Sequence, residues 1–222
     1  MLYLVPTPIG NLEDMTYRAV RVLREADLIA CEDTRTSGVL LKHYDIDTST
    51  TAYHDNNERT KTPRLLKRLR AGHDVALISD AGSPGLSDPG FYLTRACWEN
   101  DVEVTALPGA TAAIPALTAS GLPSDRFVFE GFLPKKKGRQ TRLRTLASEP
   151  RTLVIYESPH RLLRTLDDLI EHLGPERPAA VARELTKKYE EIERGTLTEV
   201  RAYFAAYETL RGECVIVVHG AD

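Results

Sequence analysis

LYLVPTPIGNLEDMTYRAVRVLREADLIACEDTR, residues 2–35, opens with a short apolar run, Leu2, Tyr3, Leu4 and Val5. The run stops abruptly at Pro6-Thr7-Pro8-Ile9-Gly10-Asn11. Ala19, Val20, Val22, Leu23 and Ala26 then recur at helical spacing, so the order is strand, Pro/Gly turn, helix. That is the first unit of an α/β nucleotide-type fold, in which ligands sit beyond the carboxyl ends of the strands. The turn carries one glycine where the dinucleotide fingerprint needs three, and no Gly-Lys-Ser/Thr follows, so it is neither a Rossmann nor a Walker loop. Two prolines hold the backbone rigid, which suits a site where carbonyl and amide groups must face a small ligand.

Two further segments repeat the pattern. VALISDAGSPGLSDPG, residues 75–90, is an apolar strand entering a turn crowded with Gly, Ser, Pro and Asp. VEVTALPGATA, residues 102–112, is a third strand entering a Pro108-Gly109 turn, with Thr111 placed to start the next helix. A single such turn could merely reverse the chain. Three at equivalent ends of successive strands argue for one shared pocket.

The motifs TPIGNLEDMTYRA, EDTR, HDNNE, SDAGSPGLSDPG, PGATA, FEGFLP and YESPHR resemble those of the 16S ribosomal RNA cytidine 2′-O-methyltransferases of the tetrapyrrole methylase superfamily. The match covers essentially the whole chain, and many members continue with a C-terminal extension beyond its last strand. Corrinoid and porphyrin methylases carry a glycine-richer first loop where this chain has TPIGNL. The resemblance implies two α/β domains, S-adenosylmethionine as cofactor, and transfer of its methyl group to a cytidine ribose of 16S RNA in the small ribosomal subunit. It implies a homodimer as well. Cofactor contacts would come from Pro8 and Gly10, from Asp80, Ala81, Gly82 and Ser83, from Thr111 and Ala112, and from Tyr156 and Ala182 of the second domain.

Strand and helix patterns alternate through residue 119, which argues for a mostly parallel sheet flanked by helices. Gly121-Leu122-Pro123-Ser124-Asp125 is the best linker. The expected division is therefore 1–119 and 120–222, with a ligand in the cleft between the two domains. The segments 127–129, 153–156, 179–182, 190–194 and 214–218 are each compatible with a strand, and together they read as a mixed sheet. The strongest helix starts at Ser158-Pro159, an N-cap followed by proline, with Leu162, Leu163, Leu166, Leu169, Ile170 and Leu173 at helical spacing.

Composition narrows the class. A chain of 222 residues, 42% hydrophobic, can bury a sizeable core. Cys31, Cys97 and Cys214 are odd in number and without metal-ligand spacing, so they read as buried thiols in a reducing compartment. No signal segment and no stretch of the roughly 20 apolar residues that span a bilayer is present, and the expected location is the cytoplasm. No metal is expected. The formal net charge is −3, so nucleic-acid attraction must be local. Lys61, Arg64, Lys67, Arg68 and Arg70 read as a solvated helix face. Lys135, Lys136, Lys137, Arg139, Arg142 and Arg144 form a second cluster with no acid between Glu130 and Glu149, and this one points to RNA phosphates.

Glu32, Asp33 and Arg35 follow an apolar run directly; they form either a capping ion pair or, through Arg35, an RNA contact. His54, Asn57 and Glu58, with Glu157, His160 and Arg161, occupy similar strand-end positions. A ribose hydroxyl attacking a sulfonium methyl must lose its proton late in the transfer, and Glu32, Glu157 and His160 are the candidate acceptors. Two other readings stand beside the first. One is methylation of a tetrapyrrole, against which the TPIGNL loop and the basic segment weigh. The other is a non-catalytic RNA-binding or ribosome-assembly protein, against which intact cofactor loops weigh.

Overall fold

The computed structural model describes residues 1–221. They form two compact units that meet in sequence between Thr111 and Ala112.

The first unit contains β1 (Leu2–Leu4), α1 (Tyr17–Glu25), β2 (Leu28–Cys31), α2 (Thr34–His43), β3 (Thr50–Ala52), α3 (Glu58–Arg70), β4 (Val75–Ile78), α4 (Phe91–Trp98) and β5 (Val104–Ala106). Its strands stand in the order β3-β2-β4-β1-β5 and every pairing is parallel. All residues of β2 and β4 are buried, as a parallel sheet covered on both faces requires. Side chains alternate between two cores. Ile29, Cys31, Ala76 and Ile78 pack with Ala19, Val22 and Leu23 of α1. Leu28, Ala30, Val75 and Leu77 pack with Leu65 and Leu69 of α3 and Leu93 and Cys97 of α4. Leu23 is wholly buried, so its truncation to alanine would cost about 2–5 kcal/mol. Capping sets where the helices begin. Thr16 accepts from the Ala19 amide at 3.1 Å, and Asp33 accepts from the Arg35 amide at 2.8 Å.

The second unit contains α5 (Ala113–Ser120), β6 (Phe127–Phe132), α6 (Arg139–Ala147), β7 (Thr152–Glu157), α7 (Leu162–Leu173), β8 (Pro178–Arg183), β9 (Glu191–Thr196), α8 (Leu197–Ala205) and β10 (Cys214–Val218). The order is β6-β7-β10-β8-β9, with β6 and β7 parallel and the remaining pairs antiparallel, a mixed sheet. One face carries Leu153, Ile155, Val181, Ile216 and Val218 into a core with α6, α7 and α8. The helix α5 packs on β7, β8 and β10 of this same sheet, which is why the division falls before it and not at 119/120. Two local expectations also shift. Ser158 makes no side-chain cap, and a 3₁₀ turn at Pro159–Arg161 precedes α7. Thr111 does not cap α5 either, since the N-cap position is Ala112, which has no side-chain oxygen.

Candidate active site

In the first unit β1 lies between β4 and β5, so the three Pro/Gly turns expected to share a pocket leave adjacent strands at the same edge. The path from β1 to β2 steps over β4, and that from β4 to β5 steps over β1. The strand order therefore switches at the β4–β1 pair, where α/β sheets hold ligands. Hydrogen bonds stitch the turns together. Thr7 and Gly82 exchange amide-to-carbonyl bonds of 2.9 Å in both directions. The buried Thr7 hydroxyl donates to the Ser79 carbonyl at 3.0 Å, and Ser83 Oγ donates to the Ala110 carbonyl at 3.1 Å. Two glycines permit this approach. Gly82 sits at φ +82, and a Cβ on Gly109 would lie 2.7 Å from Pro6 Cβ. Pro8, Gly10, Asp80, Ala81, Gly82 and Ser83 are thus brought to one rim, and Thr111 follows Ala110 on the third turn.

Carboxylates gather beside that rim. Asp80 Oδ1 accepts from the Asp33 amide at 3.1 Å, tying the end of β4 to the start of α2. Burial, and then the charge of Asp80, pushes the Glu32 carboxyl above its ordinary range. Asp88 is pushed up to about 7, first by burial and then by the charges of Glu32, Asp55 and Asp80. A carboxyl that stays half-protonated at neutral pH is suited to proton transfer, and mutual repulsion of this kind favours a cationic ligand. Asp88 and Asp55 are absent from the sequence-based candidates. For Asp88 a signal was present: Ser79-Asp80-Ala81-Gly82 recurs as Ser87-Asp88-Pro89-Gly90 on the same turn. His54 and Asn57 are occupied with each other, Asn57 Nδ2 lying 2.9 Å from His54 Nε2. Arg35 is exposed, but its guanidinium donates to both oxygens of Asp33 at 3.2 and 2.8 Å, so the capping ion pair is formed. Those bonds hold the Asp33 carboxyl down at about 2. Among the described residues no group of three His, Cys, Asp or Glu is placed to hold a metal.

In the second unit Tyr156 and Ala182 both pair with Val215 of β10 in register. Register partners share a face, so these two residues, implied as cofactor contacts, stand in one row on the side of the sheet away from the α6–α8 core. Ala112 is the N-cap residue of α5. Two candidates are overturned here. Glu157 is fully enclosed: one oxygen accepts from the Ser158 amide at 2.8 Å and from Arg161 Nε at 2.7 Å, the other from the Thr165 hydroxyl at 2.7 Å. With both oxygens engaged and no solvent contact, it holds the β7–α7 junction and cannot take up a substrate proton. Arg139, expected to bind RNA, is buried as well. Its Nε donates to Asp168 at 2.7 Å, and its terminal nitrogens to Thr165 Oγ1 at 2.8 Å and to the Pro134 carbonyl at 3.2 Å. Lys135, Lys136 and Lys137 are exposed, as is His160.

The profile of the family described as Tetrapyrrole (Corrin/Porphyrin) Methylases matches residues 1–201. The chain belongs to this methylase family. Within it, a Synechocystis protein named ribosomal RNA small subunit methyltransferase I is 56% identical over 222 residues, covering 100% of this chain and 79% of its own length. The Escherichia coli O157:H7 protein of the same name is 52% identical over 221 residues, covering 99% and 77%. The methylase fold recurs in the solved structure of diphthine synthase, with a TM-score of 0.75 at 13% identity over 98% of this chain and 89% of that one. It recurs again in Thermus thermophilus uroporphyrin-III C-methyl transferase complexed with S-adenyl homocysteine, with a TM-score of 0.65 at 24% identity over 97% and 96%. The chain is thus an S-adenosylmethionine-dependent methyltransferase of the ribosomal RNA branch. No helix among the described residues is long and apolar enough to cross a membrane.

Proposed function

We propose that this methylase transfers a methyl group from S-adenosylmethionine to the 2′-hydroxyl of a cytidine in the RNA of the small ribosomal subunit. The identity of 56% along the whole chain with a small-subunit RNA methyltransferase carries the reading. The site fits the cofactor. It offers a rigid, backbone-lined rim at the β4–β1 switch point, and a group of carboxylates that repel one another until a cation arrives.

When bound, the cofactor supplies a methyl on a positive sulfur, so the protein's main tasks are alignment and charge. The turns at Pro8, Asp80 and Thr111 hold it, with Gly10, Ala81, Gly82 and Ser83 completing the rim. Ala112, Tyr156 and Ala182 are further proposed contacts. Asp80 presents its second oxygen to a hydroxyl or ammonium group. Glu32, joined by Asp88, takes up the proton that the ribose hydroxyl releases; His160 stays in view as an exposed imidazole. Lys135, Lys136 and Lys137 hold phosphates, and Arg35 adds its exposed edge.

The substrate is the small subunit or its RNA. The chain pairs as a homodimer, a reading supported by the exposure of Tyr17, Phe91 and Trp98 on the first unit. It works in the cytoplasm, where its three free, buried thiols stay reduced. Labelled S-adenosylmethionine offered with 30S particles, 16S RNA or a porphyrinogen tests the substrate. Transfer only to porphyrinogen, or to none, rejects the reading. Calorimetric titration with cofactor in excess chelator should still saturate, and light scattering should give twice the monomer mass.

A further inference from the structure

The connection that carries the exposed lysines begins at an aromatic cluster. Between Phe129 and Gly131 the pairing of β6 with β7 slips by one residue, so Phe129 stands opposite Val154 and Phe132 opposite Tyr156. In a regular strand residues three apart face opposite ways; the extra residue, Glu130, brings both phenylalanines to the face of Tyr156. The rings are arranged accordingly. Phe129 and Phe132 approach Tyr156 edge-on, with centroids 5.0 and 5.8 Å away. Tyr156 is half-buried, but Phe132, on the edge strand β6, is 53% exposed. Phe132 is thus an aromatic ring held by a neighbour on one side and open on the other.

Charge indicates what the open side receives. Lys135 lies three residues beyond Phe132, within about 11 Å along the chain. Glu130 is already matched by Arg142, whose Nε donates to it at 2.7 Å, and Glu149 is matched by Arg151. The lysines therefore present their charge without a competing carboxylate from either flank. Arg139, by donating to the Pro134 carbonyl, pins the turn from which they project. A fixed aromatic face beside a pinned run of cations is the combination that binds unpaired nucleic acid, with a base on the ring and its phosphates on the cations.

We propose that Phe132, backed by Tyr156, is a stacking platform for one unpaired RNA base, whose neighbouring phosphates are held by Lys135, Lys136 and Lys137. This rests on the RNA-methylation reading and extends it: the substrate is engaged as a splayed single strand, not as a duplex. The platform also stands in the same row as Tyr156, Val215 and Ala182, so a base bound there lies next to the proposed cofactor contacts.

The test uses the full chain, a short single-stranded RNA and 30S particles. Phe132→Ala and Phe132→Leu should weaken RNA binding about 5- to 150-fold, the range of one base–aromatic stack. Phe132→Trp should restore affinity, and in a Trp98→Phe background its fluorescence should be quenched by RNA. The salt dependence of binding should not change, because no phosphate contact is lost, and cofactor affinity should stay at the wild-type value. Wild-type RNA affinity in Phe132→Leu overturns the proposal, as does a matching loss of cofactor affinity, which would make the ring an adenine platform. Phe132→Ala that becomes monomeric would instead assign the ring to a second copy of the chain. Failure of the wild-type protein to modify 30S particles would reject the function reading itself, separately from these variants.

Discussion

Arg139 is bound to Asp168 through a 2.7 Å ion pair whose side chains are 6% and 17% exposed. One member of the basic cluster is therefore a buried tie between the start of α6 and α7. Removing one partner of such a pair leaves the other charge uncompensated and costs about 3–5 kcal/mol. Arg139→Ala should lower stability by that amount in a denaturant titration. Lys135→Ala and Lys136→Ala, at exposed side chains, should change it by less than about 0.5 kcal/mol.

The lysines should be felt in RNA binding instead. Each phosphate contact releases counterions, so every lysine removed should reduce the log–log salt slope by roughly one unit. The triple change Lys135→Ala, Lys136→Ala, Lys137→Ala should flatten the slope by about three and leave cofactor affinity unaltered. A slope unchanged from wild type would mean that these side chains meet no phosphate.

Asp88 gives a pH signature whose sign is fixed. Its carboxyl ionises near 3.8 in the unfolded chain, but only at about 7 in the folded one. Between those values the folded state holds the extra proton, so this residue's contribution makes stability fall as pH rises, with no further loss above about 7. Asp33 and Glu149, both held low at about 2 by neighbouring arginines, act in the opposite sense at lower pH. The comparison with Asp88→Asn isolates the single group. The variant's stability relative to wild type should grow from pH 4 to pH 7 and then level off. A difference that is flat with pH would show that Asp88 is not protonated in the folded protein.

Glu157 and Glu32 should separate in the same spirit. Glu157→Ala leaves Arg161 and Thr165 without their shared acceptor and should destabilise by about 3–5 kcal/mol. Glu32→Gln should leave stability nearly unchanged while lowering kcat about 10²–10⁴-fold, the usual range for a general base. Equal melting losses for the two variants would remove that distinction.

The strand–turn–helix order of the first unit was legible where strands are central: β2 and β4 are buried throughout and read as unbroken apolar runs, whereas the edge strand β3, Thr50–Ala52, is partly exposed and does not. Most strands of the mixed second sheet were legible from similar runs, but β9, Glu191–Thr196, is charged and only half-buried. The fate of individual polar residues was not. Glu157 and His160 look alike in YESPHR, but the chain turns one inward to Arg161 and leaves the other in solvent. Arg139 and Lys137 belong to one basic run, but Lys137 lies exposed on the turn before α6, while Arg139 opens the helix and is drawn in to Asp168 of α7. The alignment of Phe129 with Phe132 depends on a bulge, which spacing in the sequence does not disclose.

The rim itself can be tested through its glycines. Gly109 has ordinary φ, yet a methyl there would stand 2.7 and 2.9 Å from two ring carbons of Pro6, and proline cannot rotate away. Gly109→Ala should therefore push the third turn off the first, at about 1–3 kcal/mol, the typical cost of overpacking. Because Ala110 and Ser83 are joined across that junction, the displacement should reach the cofactor rim and weaken S-adenosylmethionine binding about tenfold or more. Gly38 is the internal control. It lies exposed within α2 with nothing within 4 Å of its would-be Cβ. Gly38→Ala should stabilise by about 0.5–1 kcal/mol through helix propensity alone, with cofactor affinity unaltered. Calorimetry on both variants checks the contrast: if Gly109→Ala binds cofactor as tightly as Gly38→Ala, the Pro6–Gly109 approach does not shape the pocket.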